Sequence, residues 1–296
     1  MATGLVLGTV AFFAAPAYAG DSPSGFVYGT DSYQPTVTLN YPATEPVIDS
    51  GLYGAYGAEI STWGNYLGCT SGRAVNSTDV IAANQDVTYA VNHNFVGVPL
   101  GTYLYFYAGG PGVDPNYNGT TTEAYDWGYN QAEYAISQWA AIGPEISSPL
   151  IFMDVEQGNR NAGQPEYYNG WNSRASNCGE TVLSSYMAPN LDQATVDGYL
   201  YALDSSPDGF YQSVYSSPGF WSYTFGSSYG SIPNAYEWTS ENESASITPG
   251  ASGWCMGSTC AAWFGGTDHP LIWQWTTNAP DLNSVGDFDQ VDDLNF

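Results

Sequence analysis

The stretch Leu150-Ile151-Phe152-Met153-Asp154-Val155-Glu156 does most to define the fold that this sequence predicts. Four apolar residues in a row favour a short strand buried on both faces, as in a parallel sheet. Side chains two positions apart on a strand point the same way, with backbones about 6.5–7 Å apart. The carboxylates of Asp154 and Glu156 are therefore expected to face one spot from a rigid support. Paired carboxylates perform glycoside hydrolysis, but acidic residues also simply end strands and cap the next segment.

Strand-like and helix-like segments alternate on both sides of this stretch. The strands are predicted at 25–30, 66–69, 100–108, 150–155, 209–215, 235–239 and 271–275, and the helices at 77–94, 122–142 and 191–203. Alternation of this kind predicts an α/β protein with a parallel sheet. For 296 residues a TIM-like (β/α) barrel is the leading architecture. The third quarter is rich in Gly and Ser, so the second half of the barrel is expected to be incomplete or irregular.

The N-terminal residues have the pattern of an export signal. Residues 5–15 are apolar, and Ala17-Tyr18-Ala19 has the small-x-small form of a signal peptidase site. We predict a signal peptide at 1–19 and a single barrel domain at 20–296. The mature protein is expected to be secreted and extracellular, without a membrane anchor.

The charge balance is strongly acidic. Acidic residues number 29 and basic residues three, giving a net charge of -26, yet charged residues are only 11% of the chain. The imbalance comes from missing cations, which fits a secreted protein that works at low pH, where carboxylates take up protons. Nucleic acid is excluded as a partner, because phosphate binding needs clusters of Lys and Arg.

Four cysteines fit an oxidising compartment. Three pairings are possible. Cys255 and Cys260 are close enough to bridge one loop, which leaves Cys69 with Cys178. Zinc is the competing interpretation, but the spacing has no C-x-x-C pair, and neither a metal nor a cofactor is predicted.

Other aspartates follow predicted strands. In (β/α) barrels the active site lies at the carboxyl ends of the strands. Asp31 ends the first predicted strand, and the tail 286–296 adds Asp287, Asp289, Asp292 and Asp293. These residues are expected to converge with Asp154 and Glu156 at one mouth. The alternatives are a turn-forming Asp31 and a solvated acidic terminus.

Five segments, in order, resemble glycoside hydrolase family 25, the N,O-diacetylmuramidases or Chalaropsis-type lysozymes. They are Gly29-Thr30-Asp31-Ser32-Tyr33-Gln34, Gly101-Thr102-Tyr103-Leu104-Tyr105-Phe106, Met153-Asp154-Val155-Glu156, Ile272-Trp273-Gln274-Trp275-Thr276 and Val291-Asp292-Asp293-Leu294-Asn295-Phe296. The chain departs from the family at Tyr105, where a His is usual. A sister group of glycoside-hydrolase-like proteins shares the barrel and the D-x-E strand.

The resemblance implies roles for the acidic residues. Glu156 would be the general acid, and Asp154 would stabilise the oxocarbenium-like transition state or orient the substrate acetamido group. Asp31 and a tail residue, Asp292 first and then Asp289, would position sugar and water. Sugar-binding aromatic rings are expected near the strand ends; the candidates are Tyr33, Tyr105, Tyr107, Trp273 and Trp275.

The predicted function is a secreted glycoside hydrolase that cleaves cell-wall polysaccharide, peptidoglycan in particular, and acts as a monomer. The alternative is a barrel of another specificity, or one that binds polysaccharide without cleaving it. A serine hydrolase is a weaker alternative, because Gly226-Ser227-Ser228-Tyr229-Gly230 matches G-x-S-x-G but no helix pattern follows it.

Overall fold

The structure, a computed structural model of the chain, describes a defined set of residues. These are 26–32, 55–69, 102–142, 149–158, 168–226, 232, 235–240, 271–276 and 287–292. For residues 287–292 and most of residues 26–32, the description is of the backbone.

Eight strands form a closed barrel around one axis. They are β1 Phe26–Ser32, β2 Ala55–Thr62, β3 Thr102–Tyr107, β4 Ile151–Asp154, β7 Ser213–Ser216, β8 Tyr236–Ser240, β9 Ile272–Thr276 and β10 Asp287–Asp292. Their order around the barrel is β1-β10-β9-β8-β7-β4-β3-β2, and β1 pairs with β2 to close it. A short antiparallel hairpin, β5 Arg174–Ala175 and β6 Val182–Ser184, lies outside the barrel.

The last strand departs from the parallel architecture that the sequence predicts. β10 runs antiparallel to both β1 and β9, whereas the other barrel pairs are parallel. The fold is thus α/β with a mostly parallel central sheet, and it is not a regular eightfold repeat of strand and helix. An antiparallel strand needs only a short connection to its neighbour, while a parallel one needs a crossover, so an acidic segment without helical periodicity is able to complete the barrel.

Four α-helices accompany the strands in the described part of the chain. They are α1 Trp63–Leu67, α2 Thr121–Ile142, α3 Pro189–Ser205 and α4 Pro218–Phe225. None of them combines the length and the apolar character that crossing a membrane requires. The predictions for 122–142 and 191–203 are confirmed within two residues, while the predicted helix at 77–94 lies outside the described residues.

Side chains at alternate positions of the strands belong to two separate cores. One lies inside the barrel, and the other, the outer core, lies between the barrel and the helices. The side chains on the inner face fill the barrel with aromatic rings, as in Tyr103, Tyr105, Phe152 and Trp238. The intervening residues pack outward against the helices; they include Leu104, Phe106, Ile151, Met153 and Val214 on the strands and Ala132, Tyr199 and Leu203 on the helices. A strand buried on both faces reads as a continuous apolar run, which explains the sequence of β4.

The prediction of a strand at 66–69 is wrong, because these residues belong to α1 and its end. The Thr62 hydroxyl accepts a hydrogen bond from the backbone N–H of Asn65 at 3.1 Å and so caps the helix N-terminus. Gly68 ends the helix with φ +65°, a conformation that favours glycine. A helix of five residues is too short to show a helical period.

One disulfide joins the end of α1 to the β5–β6 hairpin. Cys69 and Cys178 are bonded, with Cα atoms 5.5 Å apart, so this predicted pairing is confirmed. The predicted bridge between Cys255 and Cys260 lies outside the described residues.

Candidate active site

Three of the predicted acidic residues lie at, or just after, the carboxyl ends of two parallel strands, so they share one end of the barrel. Asp31 is near the carboxyl end of β1, Asp154 is the last residue of β4, and Glu156 follows two residues later. Asp31 and Asp154 are buried, whereas Glu156 is partly exposed. In the sheet register Asp154 stands between Tyr107 of β3 and Tyr215 of β7.

Tyr215 marks the point where these acidic side chains approach one another. It is buried in the barrel interior. Burial raises the pKa of its phenol well above the ordinary value, and the negative charges of Glu156, Asp154 and Asp31 raise it further, against an opposing hydrogen bond with Ser240. All three carboxylates therefore lie within electrostatic reach of one phenol. The high pKa keeps that phenol protonated and able to donate a hydrogen bond.

A hydrogen-bond chain runs from Tyr215 to Asp31 across the barrel. The Tyr215 hydroxyl donates to Oε1 of Gln274 at 2.8 Å. Nε2 of Gln274 donates in turn to Oδ2 of Asp31 at 3.0 Å. The Tyr215 hydroxyl donates its proton to the amide oxygen of Gln274, so the amide NH2 group of Gln274 faces the Asp31 carboxylate. Such a buried, satisfied network holds the Asp31 carboxylate in one orientation.

Glycine at position 57 makes room for Asp31. Gly57 of β2 is the backbone neighbour of Asp31 on one side and of Tyr103 on the other. A Cβ atom at this position would lie 2.6 Å from Cβ of Asp31 and 2.5 Å from Cε2 of Tyr103. Only glycine lets these two side chains pack this closely, so Gly57 contributes to the position of the carboxylate.

The segment that carries Glu156 is held by Asn169. Nδ2 of Asn169 donates to the backbone carbonyl of Glu156 and to the Tyr107 hydroxyl, the latter at 3.2 Å. Oδ1 of Asn169 accepts from the N–H of Gly158 at 3.1 Å. The Ser216 hydroxyl donates to the Val155 carbonyl at 2.8 Å. Glu156 therefore has a fixed backbone and a partly exposed side chain, which is the arrangement that a proton donor to a bound substrate needs.

The register of β10 orders the tail aspartates along the barrel axis. Asp287 pairs with Asp31, and Asp289 pairs with Gly29 and Gln274. Asp292 pairs with Phe26 at the opposite end of β1. Five residues of strand separate the two levels, roughly 16 Å. The backbone therefore brings Asp287 rather than Asp292 to the level of Asp31, because β10 runs antiparallel to β1.

The aromatic residues predicted to bind sugar lie in different parts of the fold, and not all of them are near the acidic residues. Tyr105 lies inside the barrel with its ring edge-on to Trp238 at 5.6 Å, and Tyr107 is buried at the carboxyl end of β3. Trp273 packs in the outer core, on the face of β9 opposite Gln274, so it is not brought to the acidic residues. Trp275 is described only as backbone in β9, and Tyr33 lies outside the described residues.

Three residues of this region are not among those that the sequence predicts. Tyr215 and Gln274 form the hydrogen-bond chain to Asp31. Glu59 is buried on β2, the strand that pairs with β1. Gln274 lies in the W-Q-W segment that resembles family 25, which was the available signal. Tyr215 had none, because Gln274 and the three acidic residues near its phenol are 59 residues away or more.

The segment before Ser228 does not form the strand that the serine-hydrolase alternative requires. A nucleophile elbow requires a strand before the serine. The residues before Gly226 form helix α4, and residues 227–231 lie outside the described part.

The fold is similar to that of a family GH25 lysozyme from Aspergillus fumigatus, with a TM-score of 0.51 at 13% identity, over 90% of this chain and 93% of that chain. A muramidase from Trichobolus zukalii covers the same shares at 14% identity with a TM-score of 0.47. A modular autolysin from Streptococcus pneumoniae, in complex with a synthetic peptidoglycan ligand, gives 15% identity and 0.48, over 90% of this chain and 46% of that one. No protein-family model and no curated protein matches the chain. The chain thus has a fold like that of the family GH25 lysozyme from Aspergillus fumigatus.

Proposed function

We propose that this protein is a glycoside hydrolase that cleaves cell-wall polysaccharide, with peptidoglycan as its substrate. The observation that carries the proposal is the arrangement around Tyr215, whose hydroxyl is linked through Gln274 to Asp31 and which pairs in the sheet with Asp154, two residues before Glu156. These carboxylates come from two parallel strands, are held by a rigid barrel and lie at its carboxyl end. Carboxylates in this arrangement supply the acid, base and charge-stabilising groups of glycoside hydrolysis.

The three carboxylates have different surroundings, which favours different roles. Glu156 is partly exposed on a segment with a fixed backbone, so it is placed to give its proton to the leaving glycosidic oxygen. Asp154 is buried at the end of β4 and is suited to stabilise the positive charge that develops on the sugar ring. Asp31, oriented by Gln274, is suited to position the sugar or the attacking water.

The buried carboxyl groups of this acidic chain support a folded state that is most stable at low pH. Burial raises the pKa of Asp192, which lies in the first turn of α3, well above its ordinary value, against an opposing contribution from the Asn172 backbone N–H. Burial likewise raises the pKa of Asp114 to about 6. Both groups bind a proton more tightly in the folded protein, so the stability that they contribute is complete near pH 4 and is lost as pH rises through their folded pKa values.

Secretion is part of the same proposal. The apolar stretch 5–15 with Ala17-Tyr18-Ala19 provides a signal peptide, and the Cys69–Cys178 disulfide suits an oxidising compartment. An extracellular, acid-tolerant enzyme would meet bacterial walls directly.

The experiment measures new reducing ends released from purified bacterial walls at pH 4–5. Glu156→Gln keeps the shape but removes the transferable proton, and should lower turnover by about 10²–10⁴-fold. The matched control is Glu133→Gln, the same exchange at an exposed position on α2, which should leave turnover unchanged. Equal turnover in both variants would show that Glu156 is not the acid.

The same assay tests the alternative, a barrel that binds polysaccharide without cleaving it. Tyr105, at the position where the family usually has His, is buried against Trp238, so this strand presents no imidazole. Wall binding in a pull-down, without new reducing ends at any pH from 3 to 8, would establish the binding protein and reject the hydrolase.

A further inference from the structure

A groove of about 190 Å³ opens beside the segment that carries Glu156. Gln157 and Gly158, the residues after Glu156, line one side of it. Its other walls come from residues 168–173, from the β5–β6 hairpin with the turn that follows it, and from α4. The groove therefore continues the candidate active site outward from the barrel, onto elements that lie outside the eight strands.

The wall formed by residues 168–173 is fixed by hydrogen bonds to the segment after β3. The N–H of Gly110 donates to the Asn169 carbonyl at 2.6 Å, and that of Gly112 to the Gly170 carbonyl at 3.1 Å. Nε1 of Trp171 donates to the Ala108 carbonyl at 3.2 Å. A site whose wall is formed before binding loses little conformational entropy when a ligand enters.

The wall formed by α4 presents the ring of Tyr223 to solvent. Helix α4 begins at Pro218, with the Ser217 hydroxyl accepting from the N–H of Phe220 at 3.2 Å. It buries Trp221 in the outer core, whereas Tyr223 is 71% exposed and lines the groove. Phe220 and Tyr223 lie three positions apart and therefore share one face of the helix. An exposed aromatic face is a flat, partly apolar platform with a polar hydroxyl.

The lining is uncharged in a chain whose net charge is -26. Among its described residues there are amide and hydroxyl side chains, such as Asn172, Ser173 and Ser185, but no Asp, Glu, Arg or Lys. A charged ligand would lose hydration here without gaining a counter-charge. Aromatic faces together with amides and hydroxyls suit a neutral ring that carries hydroxyl and acetamido groups. The volume is below the range of about 300–1,000 Å³ for drug-sized ligands, which fits a single sugar unit.

We propose that this groove is a second sugar-binding subsite. It holds an N-acetylhexosamine unit of the glycan chain whose scissile bond lies at Glu156. This inference rests on the proposed function and extends it. Tyr223 supplies the platform, and the hydroxyls of Ser173 and Ser185 supply hydrogen bonds together with Oδ1 of Asn172, whose Nδ2 donates to Thr224. The subsite makes the protein prefer long glycan chains to short fragments, because only a long chain reaches both the barrel mouth and the groove.

The test measures binding separately from cleavage. The full chain with Glu156→Gln is titrated calorimetrically with the hexamer of N-acetylglucosamine. Adding Tyr223→Ala should weaken binding about 3–10-fold, the usual size of a ring-stacking contribution. Tyr201→Ala is the matched control, because Tyr201 is also exposed but lies on α3 away from the groove, and it should leave affinity unchanged.

Wall digestion by the protein with Glu156 intact gives a second readout. Tyr223→Ala should raise KM and leave kcat unchanged, since the contact is made equally in the ground and transition states. Unchanged hexamer affinity in Tyr223→Ala, an equal change in Tyr201→Ala, or no hexamer binding by the Glu156→Gln protein would each overturn the subsite. If Tyr223→Ala weakens hexamer binding while walls are never cleaved, the subsite stands and the hydrolase proposal fails.

Discussion

Removal of the Cys69–Cys178 disulfide should cost this protein several kcal/mol of stability. The bridge joins residues 109 positions apart, so it closes a long loop in the unfolded chain. The chain-entropy relation gives about 16 cal/mol/K for a loop of this length, or about 4.8 kcal/mol at 25 °C. Measured losses for native disulfides fall at about 2–5 kcal/mol, so the value lies at the upper end of that range.

The folded state should survive the change. Cys69 is buried in a cluster with Trp63, Tyr107 and Val113, and the partner Cys178 packs against that cluster. Trp63, Tyr107 and Val113 have further apolar neighbours in the cluster, Trp127 and Ala175, besides the two cysteines. The double variant Cys69→Ala/Cys178→Ala should therefore fold, and its loss of stability should arise mainly because the unfolded chain becomes freer.

Urea unfolding followed by tryptophan fluorescence and far-ultraviolet circular dichroism measures the loss. The matched control is Cys255→Ala/Cys260→Ala, which removes the predicted local bridge. A loop of about five residues should contribute about 2 kcal/mol by the same relation. A loss below about 1 kcal/mol for the Cys69 and Cys178 pair, with an unchanged dependence on urea, would refute the loop-closure reasoning.

Three further predictions concern the buried groups of the site and the helices. Asp192→Asn should flatten the fall in melting temperature between pH 4 and pH 8, because the raised pKa of the native carboxyl makes stability fall as pH rises; an equally steep fall in the variant would contradict this. Gly57→Ala should cost about 1–3 kcal/mol by overpacking and lower kcat on cell walls, whereas Gly219→Ala, where a Cβ meets no atom within 4 Å, should do neither. Tyr215→Phe should lower kcat on the same walls because the Gln274 amide loses its orienting donor; unchanged turnover would show that the hydrogen-bond chain has no catalytic role.

Much of the framework follows from local sequence patterns. Strand β4 with its D-x-E ending and the long helix α2 were predictable. A strand buried on both faces produces a continuous apolar run, and an amphipathic helix produces apolar residues at a helical period. The acidic residues at the ends of β1 and β4 were predictable for the same reason: in a parallel sheet, strand ends meet at one edge. The bridge between Cys69 and Cys178 followed from cysteine spacing.

Other features depend on residues far apart in the chain. The partners in the Tyr215–Gln274–Asp31 chain are up to 243 residues apart, and a pattern along the chain carries no signal for such a contact. The direction of β10 was decided by barrel closure, which placed Asp287 rather than Asp292 beside Asp31. The sequence determined which residues carry charge and where strands end; the tertiary structure decided which of them meet, because register and strand direction depend on packing across the whole barrel.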